Sequence, residues 1–155
     1  MPNPRTSQTQ PLVIADLPVA GGRLGLTLCP GKQSASLFGS PWARDLGADL
    51  DVVRGWGADA VVTLIEDHEF RDLRVPGLAE AVTARGMAWH HLPIRDIDVP
   101  GEAAMRLWAD LGPHLHALLE RGGRVLVHCR GGLGRAGTVA ALMLIERGMP
   151  AAAAV

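Results

Sequence analysis

The sequence predicts an α/β domain with a mostly parallel central sheet flanked by helices. Three observations predict it. Short apolar runs of strand length alternate along the chain with segments whose apolar residues recur every three or four positions. One of those runs, Ala60 to Ile65, is continuously apolar, the pattern of a parallel strand buried on both faces. The last run feeds a glycine-rich turn that opens directly into a helix-like segment, which places that turn at the carboxyl end of a sheet strand.

The elements follow in order. The start, residues 1–10, is polar and proline-bearing, unlike a secretory signal, and reads as a flexible N-terminus ahead of a single domain over residues 11–155. Leu12 to Val19 and Arg23 to Leu28 read as strands around the turn signal Ala20-Gly21-Gly22. Pro41 to Gly57 reads as a helix with Ser40 as N-cap and Pro41 at its first position, its inner face carrying Leu46, Leu50, Val53 and Trp56. After the Ala60 to Ile65 strand comes a short helix, Gly77 to Arg85, then a strand, Met87 to Leu92. Glu102 to Arg121 is helical by the spacing of Met105, Trp108, Leu111, Leu115 and Leu118, with Pro113 expected to kink or divide it. Val125 to Val127 is the strand before the turn, and Thr138 to Arg147 is the helix after it. Pro150 to Val155 looks like a further helix just starting.

Composition narrows the function. Hydrophobic residues make up 48% and charged residues 20%, ordinary values for a globular protein. A formal charge of −1 leaves no broad basic surface, so no nucleic-acid partner is expected. No apolar run approaches the roughly 20 residues of a membrane span, so no membrane partner is expected either. Nearly all positive charge is arginine, Lys32 being the only lysine. Two cysteines, Cys29 and Cys129, make no disulfide framework and fit a reducing, cytoplasmic setting.

The chemistry concentrates in Val127-His128-Cys129-Arg130-Gly131-Gly132-Leu133-Gly134-Arg135-Ala136-Gly137. Cys129 and Arg135 stand at the two ends of a glycine-rich turn. Backbone N–H groups of such a turn, with the positive end of the following helix, favour loss of the thiol proton. Arg135 adds a permanent cation, so the Cys129 pKa is expected well below that of a free thiol. The same donors, from Arg130, Gly131, Gly132, Leu133, Gly134 and Arg135, are expected to hold phosphate, sulfate or vanadate. A nucleophile and an anion cradle in one loop are what thiol-mediated phosphoryl transfer needs. The plainer reading is a strand-to-helix turn with a small buried cysteine, but such turns seldom gather His, Cys and two arginines.

Transfer to Cys129 also needs an acid for the leaving oxygen. Asp96 and Asp98, in the segment after the Met87 to Leu92 strand, both qualify chemically. Either could instead cap the helix starting near Gly101, a role that fits Asp98 better. Their spacing does not decide between them.

These residues resemble the cysteine-dependent dual-specificity phosphatases, most closely the branch typified by the cyclin-dependent-kinase-associated phosphatase. Beyond the Cys129 loop, the resemblance rests on Leu26-Thr27-Leu28-Cys29-Pro30-Gly31-Lys32, Glu69-Phe70, Arg74-Val75-Pro76-Gly77-Leu78 and His90-His91-Leu92-Pro93-Ile94, spanning roughly residues 22 to 147. It implies Cys129 as nucleophile, Arg135 as the phosphate-gripping arginine, Asp96 as general acid, and His128 as the residue that orders the loop and helps lower the thiol pKa. It also implies a phosphorylated protein substrate and no cofactor or metal. Two departures stand out. Ala136 replaces the usual Ser or Thr whose hydroxyl eases departure of the thiolate, and Thr138 is too far round the helix to substitute. The chain also stops where the family continues.

Three other readings compete. A phosphate-binding pseudophosphatase is motivated by Ala136. A phosphatase of lipid or sugar monoesters ranks lower because the loop carries no lysine. A sulfurtransferase would have no need of Asp96. Cys29 is read as a small buried thiol rather than a partner for an oxidised Cys129. His90, His91, His114 and His116 match no zinc spacing. Trp42, Trp56, Trp89 and Trp108 are read as core and helix-packing residues.

Overall fold

A computed structural model describes residues 3–35, 39–96, 100–131 and 134–149. β1 (Ala15–Val19) and β2 (Gly22–Thr27) pair antiparallel around Ala20 and Gly21, whose φ angles are 55° and 95°. Two consecutive positive φ values make the tight turn whose twist matches the flanking strands. β3 (Gln33–Ser34) and β4 (Trp42–Ala43) form a small separate ribbon. That pairing shortens the helix expected from Pro41. α1 (Leu46–Trp56) begins instead after Asp45, whose carboxylate accepts the Ala48 N–H at 2.7 Å, and it ends at Gly57 with φ 98°.

β5 (Ala60–Thr63) is buried along its whole length. The next element, α2 (Asp67–Asp72), is absent from the sequence reading. At six residues it is too short to show a period, and its start is a capping box in which the Glu69 side chain accepts the Glu66 N–H at 2.7 Å. α3 (Leu78–Ala84) and β6 (Ala88–His91) follow. α4 (Glu102–Glu120) is a single helix that Pro113 does not divide. β7 (Arg124–His128) then leads to the loop, and α5 (Gly134–Glu146) leaves it.

The sheet order is β1-β2-β7-β5-β6, with every pairing parallel except β1 on β2. This is the mostly parallel α/β sheet that the sequence predicts. Alternate residues of the central strands feed two cores, as the two-residue period of a strand requires. Val62, Val125 and Val127 meet Trp108, Leu115, Val139 and Met143 of α4 and α5. Val61 and Leu126 meet Leu50, Val53 and Val82 of α1 and α3. In the register, Thr27 and Thr63 both stand beside His128. Cys129 therefore leaves the sheet where the carboxyl ends of β2, β7 and β5 coincide.

Residues 3–10, expected to fray, lie against this body. Arg5 exchanges backbone hydrogen bonds with Pro41 and Ala43 (2.8 and 3.0 Å), and the Ser7 hydroxyl donates to Asp49 at 2.8 Å. Asp49 is fully buried and also accepts from the Gly31 N–H and twice from Arg44. A polar N-terminal segment looks mobile in sequence because nothing there reveals the buried carboxylate it serves.

Two glycines test the packing with opposite signs. A Cβ on Gly22 would lie 2.3 Å from the Gly123 carbonyl oxygen, so Gly22→Ala forces backbone to move. Its expected loss is about 1–3 kcal/mol of unfolding free energy by urea titration. A Cβ on Gly55, inside α1, meets nothing within 4 Å. Gly55→Ala should therefore gain about 0.5–1 kcal/mol in the same measurement.

Candidate active site

The loop after β7 opens onto a cleft of about 340 Å³ lined by Lys32, Asp96, Cys129, Arg130, Gly131, Gly134 and Arg135. A larger cleft, about 760 Å³ beside Trp108, His116 and Glu146, has no nucleophile in its lining. The fold thus brings together Cys129, Arg135, Asp96, Arg130, Gly131 and Gly134 from the residues expected to act. Gly132, Leu133 and Asp98 lie outside the described residues. Cys129 is 2% exposed at the floor of the cleft, whereas the Asp96 side chain is 60% exposed at its rim.

Arg135 is 2% exposed, and its guanidinium is held from behind. Both terminal nitrogens donate to Glu69, at 2.7 and 2.9 Å, and Nη1 also donates to the Ile94 carbonyl at 2.8 Å. Nε is buried without a hydrogen-bond partner and lies 3.6 Å from the Asp96 carboxylate. Burial opposes the charge on Arg135, but the hydrogen bonds and charge of Glu69, with the Asp96 and Cys129 charges, together outweigh it and raise its pKa further. Burial likewise opposes the Glu69 carboxylate, and Arg135 reverses the balance to hold its pKa below the usual range. Sequence reasoning quoted Glu69 only within the resemblance and missed this role. The Glu66-to-Glu69 capping-box spacing was the available signal, and it marks a helix start rather than a partner.

His128 is fully buried. The Trp89 indole N–H donates to Thr63 Oγ1 at 2.9 Å, and Thr63 Oγ1 lies 2.7 Å from His128 Nε2. Because the Cys129 carbonyl, 3.4 Å from Nδ1, can only accept, the ring proton belongs on Nδ1, and in the neutral ring Nε2 then accepts the threonine proton. Burial pushes the His128 pKa down to about 4. The ring is therefore neutral near pH 7. It can order the first peptide of the loop, but it brings no positive charge to the thiol.

The remaining residues fall into place around this centre. Ala136 is fully buried, and the Thr138 hydroxyl donates to the Gly134 carbonyl of its own helix at 3.1 Å. Cys29 is buried beside the loop, its N–H donating to the Arg130 carbonyl at 3.3 Å. Burial raises its thiol pKa to about 12, which keeps it protonated. Among the described residues, Glu66, His68 and Glu69 could bring metal-ligating atoms within 4.8 Å of one another, but both Glu69 oxygens already serve Arg135. The His90 and His114 rings meet edge-on at 5.6 Å, and His91 donates to the Ile65 carbonyl. Trp108 belongs to the core under α4 and α5, and Trp56 and Trp89 pack against the other core, under α1 and α3, as expected. Trp42 does not: it lies under the Arg5 guanidinium, 3.8 Å from its ring centroid.

The chain is similar to known phosphatases. A family model described as "Polymorphic toxin system, DSP-PTPase phosphatase" matches residues 39–149. Cyclin-dependent kinase inhibitor 3 of Sus scrofa is 28% identical over 146 residues, which cover 92% of this chain and 65% of that protein. The crystal structure of a kinase-associated phosphatase with its catalytic cysteine replaced by serine is 25% identical. It covers 94% of this chain and 80% of its own, with a TM-score of 0.81. The active form of Tk-PTP is 28% identical over 88% of this chain and 78% of its own, with a TM-score of 0.63. No helix among the described residues is long and apolar enough to cross a membrane.

The neutral His128 has a pH signature. Its folded pKa, about 4, lies below the unperturbed value of about 6.5. Between those values the unfolded chain takes up a proton that the folded ring refuses, so stability falls as pH drops through this window. The expected contribution is about 3 kcal/mol by pH 4, read from urea unfolding at a series of pH values. His128→Gln should flatten the slope; an unchanged slope would assign the loss to other groups.

Proposed function

We propose that this chain, which belongs to the DSP-PTPase phosphatase family of polymorphic toxin systems, hydrolyses phosphate monoesters on proteins through a phosphocysteine at Cys129. The observation that carries the reading is one cleft lined by Cys129, Arg135 and Asp96, with the Arg135 guanidinium locked by Glu69 and its Nε turned to the Asp96 side without a hydrogen bond. The Cys129 thiolate attacks phosphorus and the bond to the tyrosine, serine or threonine oxygen breaks. Asp96 gives its proton to that oxygen. Arg135 and the amides of the loop, from Arg130 to Arg135, stabilise the charge on the non-bridging oxygens. Water, deprotonated by Asp96, then attacks the phosphocysteine, releasing phosphate and the thiolate. Phosphate, sulfate or vanadate should occupy the same cradle.

Ala136 offers no hydroxyl to the departing sulfur, and Thr138 is committed to Gly134. Breakdown of the phosphocysteine is therefore the slower half of the cycle. Two buried, unbridged cysteines support a reducing, cytoplasmic site of action. The family's description connects it with polymorphic toxin systems; on that reading, inducible expression in a bacterial host slows growth only while Cys129 is intact.

The decisive assay is hydrolysis of an aryl phosphate with chelator present. Cys129→Ser should abolish turnover, and Asp96→Asn should lower kcat by about 10²–10⁴-fold. Ala136→Ser should shrink the phosphoenzyme fraction trapped by acid quench. Full activity in Cys129→Ser would end the proposal, and Asp98→Asn falling further than Asp96→Asn would reassign the acid.

A further inference from the structure

Lys32 is the only lysine in the chain, and the fold buries it against the Cys129 loop. It is 8% exposed and lines the cleft together with Cys129 and Asp96. Its ammonium donates to the Arg130 carbonyl at a long 3.4 Å and lies 4.8 Å from the Trp42 ring centroid. Among the described residues it forms no ion pair with a carboxylate. A buried ammonium without a carboxylate costs several kcal/mol, so such a residue points to an anion in the cleft, the Cys129 thiolate or a group bound beside it. Burial, and after it the neighbouring Arg130, pushes its pKa below the ordinary lysine value.

The local fold presents this side chain deliberately. Cys29-Pro30-Gly31-Lys32 is a tight turn closed by the Lys32 N–H on the Cys29 carbonyl at 3.2 Å, with Gly31 at φ 74°. Proline and glycine occupy the two central positions that this turn favours. Buried Asp49 accepts the Gly31 N–H at 2.8 Å, and the Lys32 carbonyl accepts the Arg44 N–H at 3.1 Å. The turn is pinned on both sides, so the ammonium has a fixed origin.

Charge balance gives it a task. Glu69 offsets the charge of Arg135, His128 is neutral, and Asp96 brings no cation. Net positive charge in the cleft therefore comes from Lys32 and Arg130. A phosphate monoester dianion approaching a thiolate needs that charge.

We propose that Lys32 belongs to the anion site itself, its ammonium contacting a non-bridging oxygen of the phosphoryl group in the Cys129 loop and selecting doubly charged monoesters. The proposal rests on the reading of that loop as a phosphoryl site, but its test does not need turnover. Cys129 is alkylated with iodoacetamide, and protection by inorganic phosphate is titrated across the pH range in which phosphate loses its second proton. In the unsubstituted protein, protection should strengthen as the dianion forms. Lys32→Met should weaken it at least tenfold and flatten that pH dependence, while Lys32→Arg should recover most of it. Removing an unpaired buried charge should also leave the urea midpoint of Lys32→Met equal or higher, whereas a lysine serving only the fold would lower it. Unchanged protection in a folded Lys32→Met protein overturns the proposal, and so does absence of protection in the unsubstituted protein. Failure to hydrolyse any monoester, with protection still lost in Lys32→Met, would count against the phosphatase reading alone.

Discussion

Arg135 ties three parts of the chain to one point. Its side chain comes from the first turn of α5, its carboxylate partner from α2, and its carbonyl partner from the segment after β6. The pair is buried on both sides, so each partner depends on the other: removing one leaves an uncompensated charge worth about 3–5 kcal/mol. The position of the cleft follows from this. α5 cannot rotate without breaking the fork, and α2, which has too few residues to be stable alone, is held by the contact it makes. Rigid placement of a guanidinium is what a phosphoryl site requires, because the donors must already point where charge develops.

The electrostatics around Cys129 then divide into groups that hold and groups that attract. The Trp89–Thr63–His128 chain is neutral from end to end, and it spends its hydrogen bonds on orienting the first peptide of the loop. Glu69 offsets most of the long-range field of Arg135 while leaving its Nε edge, beside Asp96, without a hydrogen bond. Attraction over distance is left to Lys32 and Arg130. Such a division lets the site be strongly structured without being strongly positive, in keeping with a chain whose formal charge is −1.

Legibility in the sequence follows contact distance along the chain. The strand, turn and helix around Cys129 occupy consecutive residues, so turn chemistry, apolar run and nucleophile reinforce one another in one window. The parallel sheet was legible for the same reason, through Ala60 to Ile65 and the alternation of elements. The contacts that position the site join residues far apart: Glu69 to Arg135 across 66 positions, Thr63 to His128 across 65, Lys32 to Arg130 across 98. No local pattern encodes them, because they depend on the register of β2, β5 and β7. The start of α1 was misplaced for a related reason. Ser40-Pro41 is a good helix start in isolation, but Trp42 and Ala43 are claimed by pairing with β3, and Asp45 caps instead.

Two buried arginine–carboxylate pairs in this fold show how a structural pair differs from one built to bind. Arg44 gives Nε and one terminal nitrogen to Asp49, and Asp49 fills its remaining capacity with Ser7 and the Gly31 N–H. That network is closed: every strong contact ends on protein, and its effect is to fix the N-terminal segment and the turn that carries Lys32. Arg135 gives its two terminal nitrogens to Glu69 and keeps Nε buried without a hydrogen bond, 3.6 Å from the Asp96 carboxylate at the cleft. A buried donor left open costs about 1–3 kcal/mol in the free protein. That donor stands on the wall that also carries the buried Lys32 ammonium and a cysteine. On the proposed reading, an oxyanion bound there would contact both groups, and the cost of burying them would be offset by the group they bind.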